Sequence, residues 1–123
     1  MAEKNLLKNH GNVKTVIIRP SIIACSDNEP YPGWTDSLAA AGGLTVLGAL
    51  GILKIINVHE ENFFDIIPAD IVTNQIIVCT ANADKSEKNF VIFNSASSVQ
   101  NPLTLFDYRK YMLKAATYNK LKD

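Results

Sequence analysis

Residues 13–20, VKTVIIRP, constrain this chain more than any other stretch. Val13, Val16, Ile17 and Ile18 form a short β-branched run without clear alternation of polar and apolar positions. A strand covered on both faces, as in a parallel sheet, reads this way. Pro20 cannot donate to a sheet ladder, so the run predicts a strand that stops there and a chain that leaves the sheet. The polar, proline-punctuated residues 21–34, SIIACSDNEPYPGW, would then form a loop beyond the strand end, which is where open α/β sheets bind their ligands. An ordinary buried strand followed by a surface loop accounts for the same pattern.

With 123 residues the chain is one domain or part of one. Hydrophobic residues make up 47% and charged ones 20%, which is globular in class. Twelve acids balance twelve bases, and the lysines gather towards the two ends, so nothing argues electrostatically for nucleic acid. Cys25 and Cys79 lie far apart in unlike contexts, which predicts free thiols and an intracellular, reducing compartment. His10 and His59 are isolated, and Glu60 and Glu61 add no ligand-type repeat, so no metal site is expected. The start, MAEKNLLKNHGN, lacks the apolar core of a secretory signal and opens directly in a predicted helix, from which missing upstream residues are expected.

That first helix is predicted over residues 1–10, stopped by Gly11 and Asn12. Residues 37–53 carry no charge. They sit at the lower limit of a membrane span and are diluted by Gly42, Gly43, Gly48 and Gly51, which predicts a buried helix instead, with a break at Gly42–Gly43 and a continuation through residues 52–58. Small residues there would let another helix or a partner approach closely. The glycine spacing matches neither the dinucleotide fingerprint nor a P-loop. A polar turn is expected over residues 59–62. Pro68 and Asp70 favour a helix over residues 70–81, although its Ile and Val content also suits a strand. A charged turn over residues 82–88 precedes a second parallel-type strand at residues 90–93 and a loop over residues 95–100. Thr104 with Asp107 caps a last helix that aligns Leu105, Tyr108, Met112 and Ala116, and the tail from Asn119 is expected to fray. The result is an α/β arrangement whose two strands leave an apolar edge open.

Four segments in this order and spacing resemble the fatty acyl-CoA reductases of the extended short-chain dehydrogenase/reductase superfamily: MAEKNLLKN leading into VIIRPSII, then EPYPGWTDS, DIIPADIVTNQII and FNSASSVQNPLT. The pairing of RPSI with PYPGW is the specific part. The resemblance implies an incomplete Rossmann-like parallel sheet, with residues 1–123 as a single partial domain, the carboxy-terminal half of an NAD(P)-binding domain. It implies NADPH-dependent reduction of long-chain acyl-CoA to fatty alcohol. The cofactor's nicotinamide end would lie near Pro20, Ile22 and Ile23, and Tyr31, Pro32, Gly33 and Trp34 would border the acyl pocket. Packing of Trp34 on the following helix explains that residue equally well.

The family's glycine-rich loop does not occur in these residues, and its Tyr-x-x-x-Lys would fall just before Met1. Tyr108 and Tyr111 have Met112 and Ala115 four positions on; Tyr118 has Lys122, a coincidence of spacing without cofactor context. No catalytic residue is therefore assigned. One expectation is a reductase polypeptide that is inactive alone and needs a protein partner to complete its sheet. The alternative is a non-catalytic accessory subunit of a larger assembly at the membrane of a mitochondrion, peroxisome or endoplasmic reticulum.

Overall fold

The computed structural model describes residues 1–120. The order is α1 (Ala2–Asn9), β1 (Thr15–Pro20), β2 (Ile22–Ala24), α2 (Ala41–Ala49), β3 (Ile66–Pro68), α3 (Ala69–Ala81), β4 (Phe90–Ser95) and α4 (Leu105–Lys120). A 3₁₀ turn, Ala83–Lys85, fills the expected charged turn. This is a partial Rossmann-like arrangement with flanking helices. The strands form two parallel pairs: β1 with β4, from Thr15 opposite Phe90 to Pro20 opposite Ser95, and β2 with β3, from Ile22 opposite Ile66 to Ala24 opposite Pro68.

Pro20 ends β1 as expected, but the chain does not leave for a loop. The Ser21 amide donates to the Ser95 carbonyl (2.8 Å) and the Ile22 amide to the Asp65 carbonyl (3.2 Å). The backbone thus passes from one pair to the other at a single residue, and Ile22 and Ile23 are strand rather than loop residues. Both β2 and β3 are three residues long. Strands this short, one of them ending in proline, give no usable periodicity.

The helices follow their end signals more than their apolar runs. α1 stops where Gly11 takes a left-handed φ of 57°, and Glu3 pairs with Arg19 on β1 at the exposed surface. The long helix expected over residues 37–58 shrinks to Ala41–Ala49, and its residues are mostly half-buried or exposed, with only Ala41 buried. Gly42 and Gly43 do not break it; they form its first turn. Its end is a Schellman motif: Gly51 has φ 70°, its amide donates to Gly48 (3.0 Å), and the Ile52 amide reaches the Leu47 carbonyl (3.0 Å). Left-handed Gly51 therefore outweighs the apolar residues that follow. The turn at residues 59–62 forms, closed by the Asn62 amide on the His59 carbonyl (3.0 Å).

α3 settles the choice between helix and strand for residues 70–81 in favour of helix. At α4 the Asp107 amide donates to Thr104 Oγ1 (3.1 Å) and the Thr104 hydroxyl to Asp107 Oδ2 (2.8 Å), the predicted cap. Leu105, Tyr108 and Met112 share the inward, half-buried side of α4. Ala116 lies outside the residues whose side chains are described. α4 is helical through Lys120, and the rest of the tail, Lys122 included, lies outside the described residues.

Burial is thin. Among the described residues the buried apolar side chains are Ala41, Ile67 and Val72. Ile67 on β3 and Val72 on α3 anchor the contact between that helix and the short pair. Ser95, 2% exposed, donates to Gln75 of α3 and ties the same helix to β4. Ile76, Ile77 and Val78 on α3 and Ile92 and Phe93 on β4 remain exposed.

Candidate functional site

Residues 25–34 leave β2 as a closed loop. The Ser26 amide donates to the Trp34 carbonyl (2.9 Å) and the Gly33 amide returns to the Ser26 carbonyl (2.8 Å), so the neck is a two-bond clasp, and Ser26 is buried. Gly33, with φ 82°, supplies the left-handed turn that brings Trp34 back to the neck. The tip is held from outside. Asp70, in the first turn of α3, accepts the amides of Asn28 (2.8 Å), Asp27 (3.0 Å) and Glu29 (3.1 Å), and that of Ile71 (3.1 Å). The Asn28, Asp27 and Glu29 amides, with Ile71, hold the Asp70 carboxyl well below the usual carboxylate range.

Asp65 does the same for the loop after β4. It accepts the Ser97 amide (3.0 Å) and the hydroxyls of Ser97 (3.2 Å) and Ser98 (2.5 Å). The Ser98 hydroxyl and the Ser97 amide draw its pKa down to about 2. Two carboxylates, one on each side of β3, thus fasten the loops at the carboxyl ends of β2 and β4.

Between the clasped loop, α2 and the end of β3 lies a cleft of about 510 Å³, walled by Ile23, Cys25, Trp34, Leu38, Val46 and Tyr108 among others. Among its described lining residues only Asp36 is charged. Tyr108 donates to the Ala41 carbonyl (3.0 Å) and shares a hydrogen bond with Thr45, which pins α4 to α2. Tyr108 also borders a second apolar cavity of about 720 Å³ between α2, residues 53–60 and α4, with the Glu60–Arg109 ion pair at its rim.

The structure gathers only some of the residues singled out in sequence. Ile23, Gly33 and Trp34 line the cleft, whereas Tyr31 and Pro32 do not. Tyr31 is 60% exposed. Pro20 and Ile22 are exposed outside the cleft, and Ile22 and Ile23, as strand neighbours, point to opposite faces of β2. An apolar ring could lie against Pro20 and Ile22, but the amides of Ser21 and Ile22 are already used in the strand handover. The Ser21 hydroxyl is buried at the strand end beside the Asp65 carboxylate, whose pKa it helps to lower. These positions fit the nicotinamide side of a dinucleotide; the 123 residues contain no glycine cradle for its pyrophosphate.

Asp65 entered the sequence reading only as part of the DIIPADIVTNQII segment, without a role, and Asp70 otherwise only as a carboxylate at the start of a helix. Their loop partners lie 32 to 43 residues away, beyond the reach of any local pattern. Among the described residues no group of three His, Cys, Asp or Glu side chains could hold a metal ion, and no helix is long and apolar enough to cross a membrane.

Parallel strands, helical crossovers and a cleft at the strand ends define the class as a partial Rossmann-like α/β protein. The chain belongs to the male sterility protein family, an NAD-binding family whose profile matches residues 1–76. It is similar over its full length to the probable fatty acyl-CoA reductase 5 of Arabidopsis thaliana (31% identity) and over 96% of its length to fatty acyl-CoA reductase 8 of the same plant (34%). Fatty acyl-CoA reductase 1 of Homo sapiens is 25% identical across the whole chain. The chain spans about a quarter of the length of these relatives, 24–25%.

Proposed function

We propose that these residues form the acyl side of a fatty acyl-CoA reductase site, in which NADPH reduces a long-chain acyl-CoA to the alcohol. The supporting observation is the apolar cleft at the ends of β2 and β3, closed by the clasped loop and joined through Tyr108 to a second apolar cavity. An acyl chain running along Trp34 and Tyr108 would exchange water for apolar contact over most of its length. Pro20 and Ile22 would meet the nicotinamide end of the cofactor, which supplies hydride when bound. Tyr31 and Pro32, outside the cleft wall, would act at its mouth.

The glycine cradle and the proton-donating Tyr/Lys pair are to be supplied by other residues, so the chain by itself is inactive. The exposed apolar side chains of α3 and β4 are the surface that a covering polypeptide would bury, and this reading makes the 123 residues one partial domain. Association with a membrane surface that carries acyl-CoA belongs to the same proposal.

The test offers palmitoyl-CoA and NADPH to the chain alone and together with a polypeptide bearing the glycine fingerprint and Tyr-x-x-x-Lys. Alcohol is expected only from the mixture, and Trp34 fluorescence is expected to respond to palmitoyl-CoA. Alcohol from the chain alone refutes its dependence on a partner, and a silent Trp34 refutes the acyl assignment of the cleft.

A further inference from the structure

The Asp70 carboxylate faces three consecutive loop amides, those of Asp27, Asn28 and Glu29, at 2.8 to 3.1 Å. Asp70 itself does not line the cleft. Its reach is indirect: the amides it holds lie in the loop that the Ser26 and Trp34 clasp closes, and Gly33 and Trp34 are the parts of that loop that wall the cleft. Cut from Asp70, residues 27–33 would keep the neck bonds, the Trp34 amide on the Tyr31 carbonyl (3.1 Å) and the Asn28 side chain on Asp27 (2.8 Å), all of them within the loop itself.

We propose that Asp70 is a positioning residue that sets the cleft's affinity for an acyl ligand by holding the Trp34 loop closed from the first turn of α3. The affinity part rests on the acyl reading of the cleft; the clamp itself does not. If release leaves the closed loop about a tenth populated, the apparent Kd for an acyl ligand rises about tenfold, because a site binds in proportion to its competent fraction.

Trp34 is the only tryptophan in the chain, so its emission reports on this loop alone. The experiment compares the chain with Asp70→Asn, Asp70→Glu and, as a control, Asp65→Asn, which frees the loop at Ser97 and Ser98 instead. Asp70→Asn is expected to increase acrylamide quenching of Trp34 and to weaken palmitoyl-CoA binding about tenfold. Asp70→Glu, which keeps the charge, is expected to recover part of both, and Asp65→Asn to leave quenching at the unsubstituted level. In the complemented enzyme Asp70→Asn is expected to raise KM and spare kcat, a split that a general loss of stability would not give.

Hydrogen exchange of the unsubstituted chain supplies a readout that no misfolded variant can obscure. The amides of Asp27, Asn28 and Glu29, though in an exposed loop, are expected to exchange slowly. Unprotected exchange there, unchanged quenching in Asp70→Asn, or an equal change in Asp65→Asn overturns the clamp. A protected, quenching-sensitive loop in a chain that binds no palmitoyl-CoA overturns the acyl reading and supports the clamp.

Discussion

Gly43→Ala and Gly48→Ala make the same chemical change on one short helix, and the structure assigns them opposite signs. Alanine in place of glycine favours a helix by at most about 1 kcal/mol. At Gly48 the new Cβ would stand 3.5 Å from the Met112 methyl and sulfur, ordinary contact, so the gain is kept and Gly48→Ala is expected to stabilise by about 1 kcal/mol. At Gly43 the Cβ would fall 2.3 Å from the Leu38 carbonyl oxygen, a backbone atom. Relief requires residues 37–40 to move, at about 1–3 kcal/mol for overpacking of this kind, which outweighs the helical gain. The two variants should therefore differ by about 2 kcal/mol. At about 4 °C per kcal/mol for a chain of this size, that is about 8 °C in Tm. Thermal melts followed by circular dichroism read the difference directly, with urea midpoints as a second measure. Equal melting temperatures for the two variants would refute the close approach of Leu38 to α2.

Other outcomes follow from the carboxylates and the caps. The folded pKa of Asp65, about 2, lies below its ordinary value, so its contribution to stability is complete above pH about 4 and is lost as pH falls through about 2. Asp65→Asn should flatten the pH dependence of stability in that window, and an unchanged acid limb would contradict its bonds to Ser97 and Ser98. Thr104→Ala removes the α4 cap and should lower stability by about 1 kcal/mol in a urea titration, with Thr104→Ser close to the parent.

Where the sequence carried a local physical signal, it was enough. Gly11 ended α1, Thr104 and Asp107 opened α4, and the β-branched runs before Pro20 and after Asn89 became the parallel pair β1 and β4. Errors came where a local pattern competed with something distant. The uncharged run over residues 37–53 promised a helix continuing to residue 58, yet the left-handed Gly51 closed it early, and the apolar residues beyond serve as cavity wall instead. β2 and β3 depend on each other's hydrogen bonds and carry no period of their own. The site divided in the same way. Gly33 and Trp34 were singled out by the family resemblance of the PYPGW segment, whereas the acids that hold the two loops bond to amides and hydroxyls from distant segments.

The Asp70 clamp also separates what must stay fixed from what is free to vary. Because Asp70 grips residues 27–29 directly, and Glu60, Asn62 and Phe64 are hydrogen-bonded to residues 103–106, residues 35–59 leave and rejoin the frame at points secured independently of their own conformation. Lengthening such an excursion costs little, roughly 0.6 kcal/mol for each doubling of a flexible loop. The stretch that carries α2 and much of both cavity walls can thus vary in length, and with it the depth and width of the space it encloses, while the strand ends beneath it and the Tyr108 tie to α2 keep their geometry.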